Sequence, residues 1–176
     1  MCGIIGLVRR PATRPVPTSA ELVALLDLAD AELHQATPLS GELTANTATH
    51  LAEVAIHLEA ANGLLMGVPG LQCLLADAAL VETIRHRTDV IEKAMTAIED
   101  QLDLSVIANL EATNAAMIRV KDAAWSLSRD RLRTAHRVAE LAPAETTTSG
   151  LATYLSIQEA LSGIDRLEVR GRDSAG

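Results

Sequence analysis

Apolar residues recur at helical spacing along most of this 176-residue chain. A first apolar stripe follows Thr18 and Ser19, either of which can cap a helix. It comprises Leu22, Leu25, Leu26, Ala29 and Leu33. A second stripe comprises Leu51, Val54, Ala55, Leu58 and Leu65. Each stripe predicts an amphipathic helix that buries one face.

Two longer stripes have a spacing close to a heptad repeat. The first comprises Leu80, Ile84, Ile91, Met95, Ile98 and Leu102, and the second comprises Leu110, Met117, Val120, Ala124, Leu127, Val138 and Leu141. Arg87 and Thr88 fill the one gap in the first stripe. Since alternating steps of three and four residues are typical of helices that pair lengthwise, we predict a long antiparallel hairpin over residues 80–141, turning near Asp103.

The N-terminus has a different pattern. The sequence CGIIGLV is a short apolar run with β-branched residues, which predicts one buried strand over Gly3–Val8. Residues 9–17 and 143–150 are rich in proline or small polar residues and predict linkers. A last amphipathic helix is expected over Leu151–Leu167. The predicted fold is therefore mainly α, with one short N-terminal β-strand.

Composition supports this fold class. The chain has no Phe, one Trp and one Tyr, yet 48% of its residues are hydrophobic. Ala and Leu supply most of that fraction, and both favour helices over strands. With so few large rings, thin apolar stripes suit a helical bundle better than a thick sandwich core.

The charge is negative overall and unevenly placed. The net charge is -8, and residues 21–111 hold fifteen acidic and three basic residues. Residues 117–142 hold six basic and three acidic residues. An acidic majority argues against general nucleic-acid binding, which depends on neutralising phosphates. We expect instead an acidic helix to pack against the basic one.

The two cysteines, Cys2 and Cys73, do not form a disulfide framework, so we expect a reducing, cytoplasmic location. Arg9 and Arg10 follow the N-terminal apolar run rather than precede it, unlike in a signal peptide. The longest uncharged stretch, residues 60–76, contains proline and glycines and does not predict a membrane span.

Cys2 is the candidate nucleophile. The chain starts MCGIIG, and a small residue at position 2 permits removal of the initiator methionine. Cys2 would then carry a free α-amine with a pKa near ~8, which can act as its general base. Gly3 and Gly6 would allow close backbone approach to the nucleophile.

A second motif, RLEVRGRDSAG, spans Arg166–Gly176. Together the two motifs resemble those of the glucosamine-fructose-6-phosphate aminotransferases, which are class II glutamine amidotransferases of the N-terminal nucleophile hydrolase superfamily. In that family a helix leads into a motif close to RLEYRGYDSAG. Here Val169 and Arg172 replace its two tyrosines. The resemblance implies Cys2 as the catalytic residue, and Arg170, Gly171 and Asp173 as substrate-binding residues.

The resemblance also implies a domain organisation. Residues 1–8 would be the first strand of the amidotransferase domain, and residues 151–176 its next helix and motif. Residues 9–150 would be a helical insertion, because the family separates the motifs by a few tens of residues at most. The parent domain would be an αββα sandwich whose remaining parts lie downstream of the second motif. We therefore expect an N-terminal fragment.

The implied activity belongs to that parent enzyme. Cys2 would release ammonia from glutamine for amino-sugar phosphate synthesis, with fructose 6-phosphate bound in downstream domains of a homo-oligomer. No cofactor and no metal are implied. The fragment alone should be inactive, and its N-terminal strand, which lacks sheet partners, should be loosely docked on the last helix.

Three further groups of residues have two interpretations each. His50, Glu53 and His57 share a helix face and could form one side of a zinc site, or a solvated face. Arg129, Arg133 and Arg137 recur every four residues, and could bind phosphate or an acidic partner, or be solvated. Cys73 could be a catalytic thiol or a buried structural one, and the apolar stretch Leu71–Leu75 around it favours the structural thiol. The alternative for the whole chain is a non-enzymatic helical interaction or scaffold module in which MCGIIG is coincidental.

Overall fold

The computed structural model describes residues 6–37, 43–44, 46–104 and 109–173, with side chains described as far as residue 165. Helices account for most of this part of the chain. They are α1 (Ser19–Ala36), α2 (Thr47–Leu64), α3 (Gly67–Ala76), α4 (Ala78–Leu104), α5 (Leu110–Trp125), a π-helical segment (Ser126–Leu132), α6 (Arg133–Leu141) and α7 (Thr148–Asp173).

Four helices form a closed bundle in the order α1, α2, α5, α4. An ion pair, or a carboxylate–imidazole hydrogen bond between α1 and α2, joins each pair of neighbours around this ring. The four pairs are Glu32–His50 (2.7 Å), Glu59–Arg119 (2.9 Å), Lys121–Glu99 and Arg87–Asp27 (2.9 Å). Through Arg119 and Lys121, helix α5 thus pairs with acidic side chains on both of its neighbours, α2 and α4.

Helix α3 carries the chain across one end of the bundle. Ser19 contacts Asp77, and Asp27 contacts Arg87, so α1 and α4 run in the same direction. Because α2 runs antiparallel to α1, the chain must cross the bundle end before α4 begins. Gly70 lets α3 approach α2 closely, since a Cβ there would lie 2.1 Å from the Leu65 carbonyl oxygen.

The chain breaks at Asp77 between α3 and α4. Asp77 has an extended backbone, with φ -136° and ψ 93°. Its Oδ1 accepts a hydrogen bond from the Leu80 backbone N–H at 3.0 Å, so Asp77 caps the start of α4. The N-cap interaction therefore starts a new helix inside an apolar run that contains no proline at that point.

The bundle core contains the heptad-like residues. Ile84, Ile91, Met95 and Ile98 of α4 are buried, as are Met117, Val120 and Leu127 of the facing helices. Thr88, which fills the gap in the first stripe, is also fully buried. Its hydroxyl donates to the Ile84 carbonyl oxygen at 3.0 Å, so the polar group is satisfied within its own helix.

The predicted N-terminal strand is wrong. Of Gly3–Val8, residues 3–5 lie outside the described residues, and residues 6–8 have no regular structure. The part of the chain that the structure describes contains neither a strand nor an αββα sandwich. A strand needs a partner for its backbone groups, and the described chain offers only helices, which satisfy their own. The mainly helical part of the prediction agrees with the structure.

In its described part, the second half of the predicted hairpin consists of three helical segments rather than one continuous helix. Helix α5 begins at Leu110, and the π-helical segment separates it from α6.

Among the described residues no single helix is long and apolar enough to span a membrane. Helices α2 and α3 pass that test only together, and they meet at an angle of 91°.

Candidate functional site

The structure places the predicted amidotransferase residues as follows. Cys2 lies outside the described residues. Arg170, Gly171 and Asp173 lie within the last turns of α7, and their side chains are outside the described part. The helix therefore continues through the start of the RGRDSAG motif, beyond the predicted end at Leu167.

Arg9 links the segment that follows the first motif to the helix that leads into the second. Its Nε donates to Ser156 Oγ at 3.0 Å, and its Nη2 pairs with Glu159 Oε2 at 2.5 Å. Both partners lie on α7. Arg14 continues the attachment by donating to the carbonyl oxygens of Leu64, at 2.8 Å, and Met66. The N-terminal segment thus runs from α7 to the end of α2.

Helix α7 presents its apolar row to the outside. Tyr154 packs against the core, whereas Ile157, Leu161 and Ile164, which follow it at helical spacing, are 46%, 48% and 54% exposed. Leu155 and Gln158 are buried in their place, at 3% exposure each. Helix α7 packs on α3 and α6, and the face that it buries carries Leu155 and Gln158.

A cavity of about 460 Å³ lies between α7 and the end of the bundle. Apolar side chains of Leu65, α3 and α7 form one part of its wall, and the π-helical segment and α6 form another. The charged residues of the wall are Arg129, Asp130, Arg131, Arg133, Arg137, Glu159 and Asp165. Trp125, the single tryptophan, also lines this cavity.

The charges around this cavity are incompletely paired. Arg131 is half-buried and donates from Nε to Asn62 Oδ1 at 2.7 Å, while burial lowers the pKa of its guanidinium. Glu159 is already paired with Arg9. By contrast Arg129, Arg133 and Arg137 form no hydrogen bond or ion pair with any described residue. The arrangement can therefore receive an anion.

Sequence reasoning had identified part of this site. The four-residue repeat of Arg129, Arg133 and Arg137 predicted, as one of two interpretations, a site for phosphate or for an acidic partner. Arg131 and Gln158 were missed, because they come from opposite walls of the cavity and only the packing of α7 brings them together.

The two other candidates have ordinary structural surroundings. His50 Nδ1 lies 2.7 Å from Glu32 Oε2, and within the described ranges no three His, Cys, Asp or Glu side chains converge on a metal-sized site. Cys73 is buried, and burial, together with the negative charge of Asp77, raises the pKa of its thiol. A raised pKa keeps this thiol protonated and unreactive.

Comparison with known proteins gives no match: no protein-family model, curated protein or solved structure is significantly similar to this chain.

Proposed function

We propose that this chain is the N-terminal part of a glutamine-fructose-6-phosphate transaminase (isomerizing)-like enzyme, interrupted by a helical insertion. The observation that carries the proposal is the contact of Arg9 with Ser156 and Glu159. An insertion must return the chain to the point where it left the parent domain. Here Arg9, close to the first motif, contacts Ser156 and Glu159 on the helix that leads into the second motif. These partners lie 147 and 150 positions further along the chain.

The helical body between these points supports the same interpretation. Helices α1, α2, α4 and α5 form a bundle with a continuous buried core. Both chain ends of this body, the segment around Arg14 and the start of α7, lie at the α3 end of the bundle: Arg14 contacts Leu64, and Gln72 contacts Thr148. Such a unit can be inserted into a domain without disturbing it.

The exposed row on α7 offers a surface for the rest of the amidotransferase domain. Ile157, Leu161 and Ile164 lie on one side of the helix at spacings of four and three residues. An exposed apolar row of this kind is typical of a surface that another part of a protein covers. We propose that another part of the parent enzyme covers this row.

In this proposal the chemistry follows from the resemblance. The Cys2 thiolate attacks the side-chain amide of glutamine, and its own α-amine relays the proton to the leaving ammonia. A γ-glutamyl thioester remains on Cys2 and is then hydrolysed to glutamate. The ammonia passes to a sugar-phosphate acceptor. Arg170, Gly171 and Asp173 would shape the glutamine pocket.

The test is Cys2→Ala in the protein as its gene encodes it, with Cys73→Ala as the matched control. We expect Cys2→Ala to abolish glutamine-dependent formation of amino-sugar phosphate while free ammonia is still used. Cys73→Ala should retain glutamine use. Unchanged glutamine hydrolysis in the Cys2→Ala variant would refute the proposal.

The second candidate is a non-enzymatic helical interaction module, and the helical bundle favours it. The two candidates differ in one measurement. An enzyme releases glutamate from glutamine in the natural protein, whereas an interaction module does not. For residues 1–176 alone we expect no release, because losing even one preorganised oxyanion donor costs about 10²–10³ in rate.

A further inference from the structure

The cavity between α7 and the π-helical segment has the dimensions of a ligand site. Its volume of about 460 Å³ lies within the range of roughly 300 to 1,000 Å³ found for small-molecule pockets. The described residues of its walls belong to the helical body and to the part of α7 that precedes the RGRDSAG sequence.

The π-helical segment is a second, separate indication. It spans seven residues, Ser126–Leu132, and includes Arg129 and Arg131. Such segments are rare and are found frequently at functional sites. Here the unusual helical geometry occurs where the chain passes the cavity, and the ordinary α-helical geometry resumes at Arg133.

The wall combines four arginines with the carboxylates of Asp130, Glu159 and Asp165, and Glu159 is already paired with Arg9. Arg129, Arg133 and Arg137 recur every four residues and have no partner among the described residues. A single carboxylate would neutralise one of these three positive charges. A phosphate monoester carries about two negative charges and three acceptor oxygens, and guanidinium groups bind it through paired hydrogen bonds.

The remaining walls suit an organic group attached to that phosphate. Leu71, Leu74 and Leu155 provide apolar surface, and the half-exposed Trp125 stands at the same cavity. Gln158 is 3% exposed and donates from Nε2 to Ser162 Oγ at 3.2 Å. Its carboxamide and the Ser162 hydroxyl are thus positioned inside the site, where they can bind ligand hydroxyls.

We propose that this cavity binds a small phosphorylated metabolite, with its phosphate held by Arg129, Arg133 and Arg137 and its polar body facing Gln158 and Ser162. Bound in this way, the ligand contacts both α6 and α7. It therefore holds α7 on the end of the bundle, which couples occupancy of the site to the position of the helix that leads into the second motif.

The experiment is a titration of the purified chain, followed by calorimetry and by the fluorescence of Trp125, the single tryptophan. The probes are a hexose 6-phosphate, the same hexose without phosphate, inorganic phosphate and citrate. We expect saturable binding of the hexose phosphate, weaker binding of inorganic phosphate, and no binding of the free hexose. Binding of citrate alone would overturn the proposal.

The test variant is Arg133→Gln with Arg137→Gln, and the matched control is Arg85→Gln with Lys93→Gln, which removes the same charge from α4. Because each guanidinium would contribute charged hydrogen bonds, we expect the test variant to weaken hexose phosphate binding by at least about tenfold. The control should bind like the unmodified chain.

Two results would contradict the proposal. Equal affinity in the test variant and the unmodified chain would show that these guanidiniums do not hold the phosphate. Absence of binding to every phosphorylated probe at millimolar concentration would show that the cavity is not a phosphate site. Because Arg133 is exposed and Arg137 half-exposed, both variants should fold, and circular dichroism checks this directly. Arg129→Gln provides an independent second variant.

Discussion

Ser19 and Asp77 hold the first turns of α1 and α4 together. The Ser19 hydroxyl donates to Asp77 Oδ2 at 2.6 Å, and the other carboxylate oxygen accepts the Leu80 N–H. One carboxylate thus caps α4 and fixes α4 against α1, its parallel neighbour in the bundle. The contact joins residues 58 positions apart in the chain.

This arrangement predicts a pH-dependent contribution to stability. The Ser19 hydroxyl, and then the Leu80 N–H, lower the pKa of Asp77 below its ordinary value. Because the folded pKa lies below the unfolded one of about 3.9, the stabilisation is complete at neutral pH and is lost as the pH falls through the folded pKa. Asp77→Ala should therefore lower the urea midpoint at pH 7, and the difference should shrink below about pH 4.

The control for this experiment is Asp89→Ala on the same helix. Asp89 is exposed, and among the described residues it forms no hydrogen bond or ion pair. Its replacement should leave the urea midpoint nearly unchanged at both pH values. An Asp77→Ala effect of constant size from pH 7 to pH 3 would contradict the assignment.

Two helical glycines should respond in opposite ways to replacement by alanine. At Gly70 a Cβ would lie 2.1 Å from the Leu65 carbonyl oxygen, so Gly70→Ala should force α3 away from α2 and destabilise the protein. At Gly63 no heavy atom lies within 4 Å of the added Cβ, so Gly63→Ala should stabilise by about 0.5–1 kcal/mol. Thermal unfolding followed at 222 nm compares the two. A stabilising Gly70→Ala would show that the contact between α2 and α3 is looser than described.

The bundle core should be sensitive at α2, which packs against both α1 and α5. Leu58 is fully buried, so Leu58→Ala should destabilise by about 2–5 kcal/mol through lost contacts and the cavity left behind. Ile56 on the same helix is 45% exposed, and Ile56→Ala should change the free energy of unfolding by at most about 0.5 kcal/mol. Guanidinium titration measures the free energy of unfolding of both variants. Similar losses in the two would contradict the burial of Leu58 and the exposure of Ile56 on α2.

Cys73 should be protected from thiol reagents in the folded protein. In a Cys2→Ser variant it is the remaining cysteine, and its burial both blocks access and raises the pKa of the thiol. We expect slow reaction with a chromogenic disulfide at pH 7.5 and fast, stoichiometric reaction in urea. Fast reaction of the native variant would place Cys73 on an accessible surface.

The sequence by itself determined where helices form and which residues form the bundle core. The stripes at Leu22–Leu33 and Leu80–Leu102 were correctly predicted as helices, because local periodicity defines an amphipathic helix without reference to its neighbours. The repeat of basic residues at Arg129–Arg137 was equally visible. Whether those arginines were paired was not, since pairing depends on which helix lies opposite.

Tertiary structure decided the rest. The apolar row of α7 stays exposed, because α3 and α6 contact the face that carries Leu155 and Gln158. The start of α4 depends on Asp77, whose cap is stabilised by Ser19 from another helix. The predicted strand failed because a short apolar run forms a strand only where a partner strand is present. The cavity exists only because α7 closes over the end of the bundle. Periodicity shows that a face is apolar, while long-range packing decides what covers it.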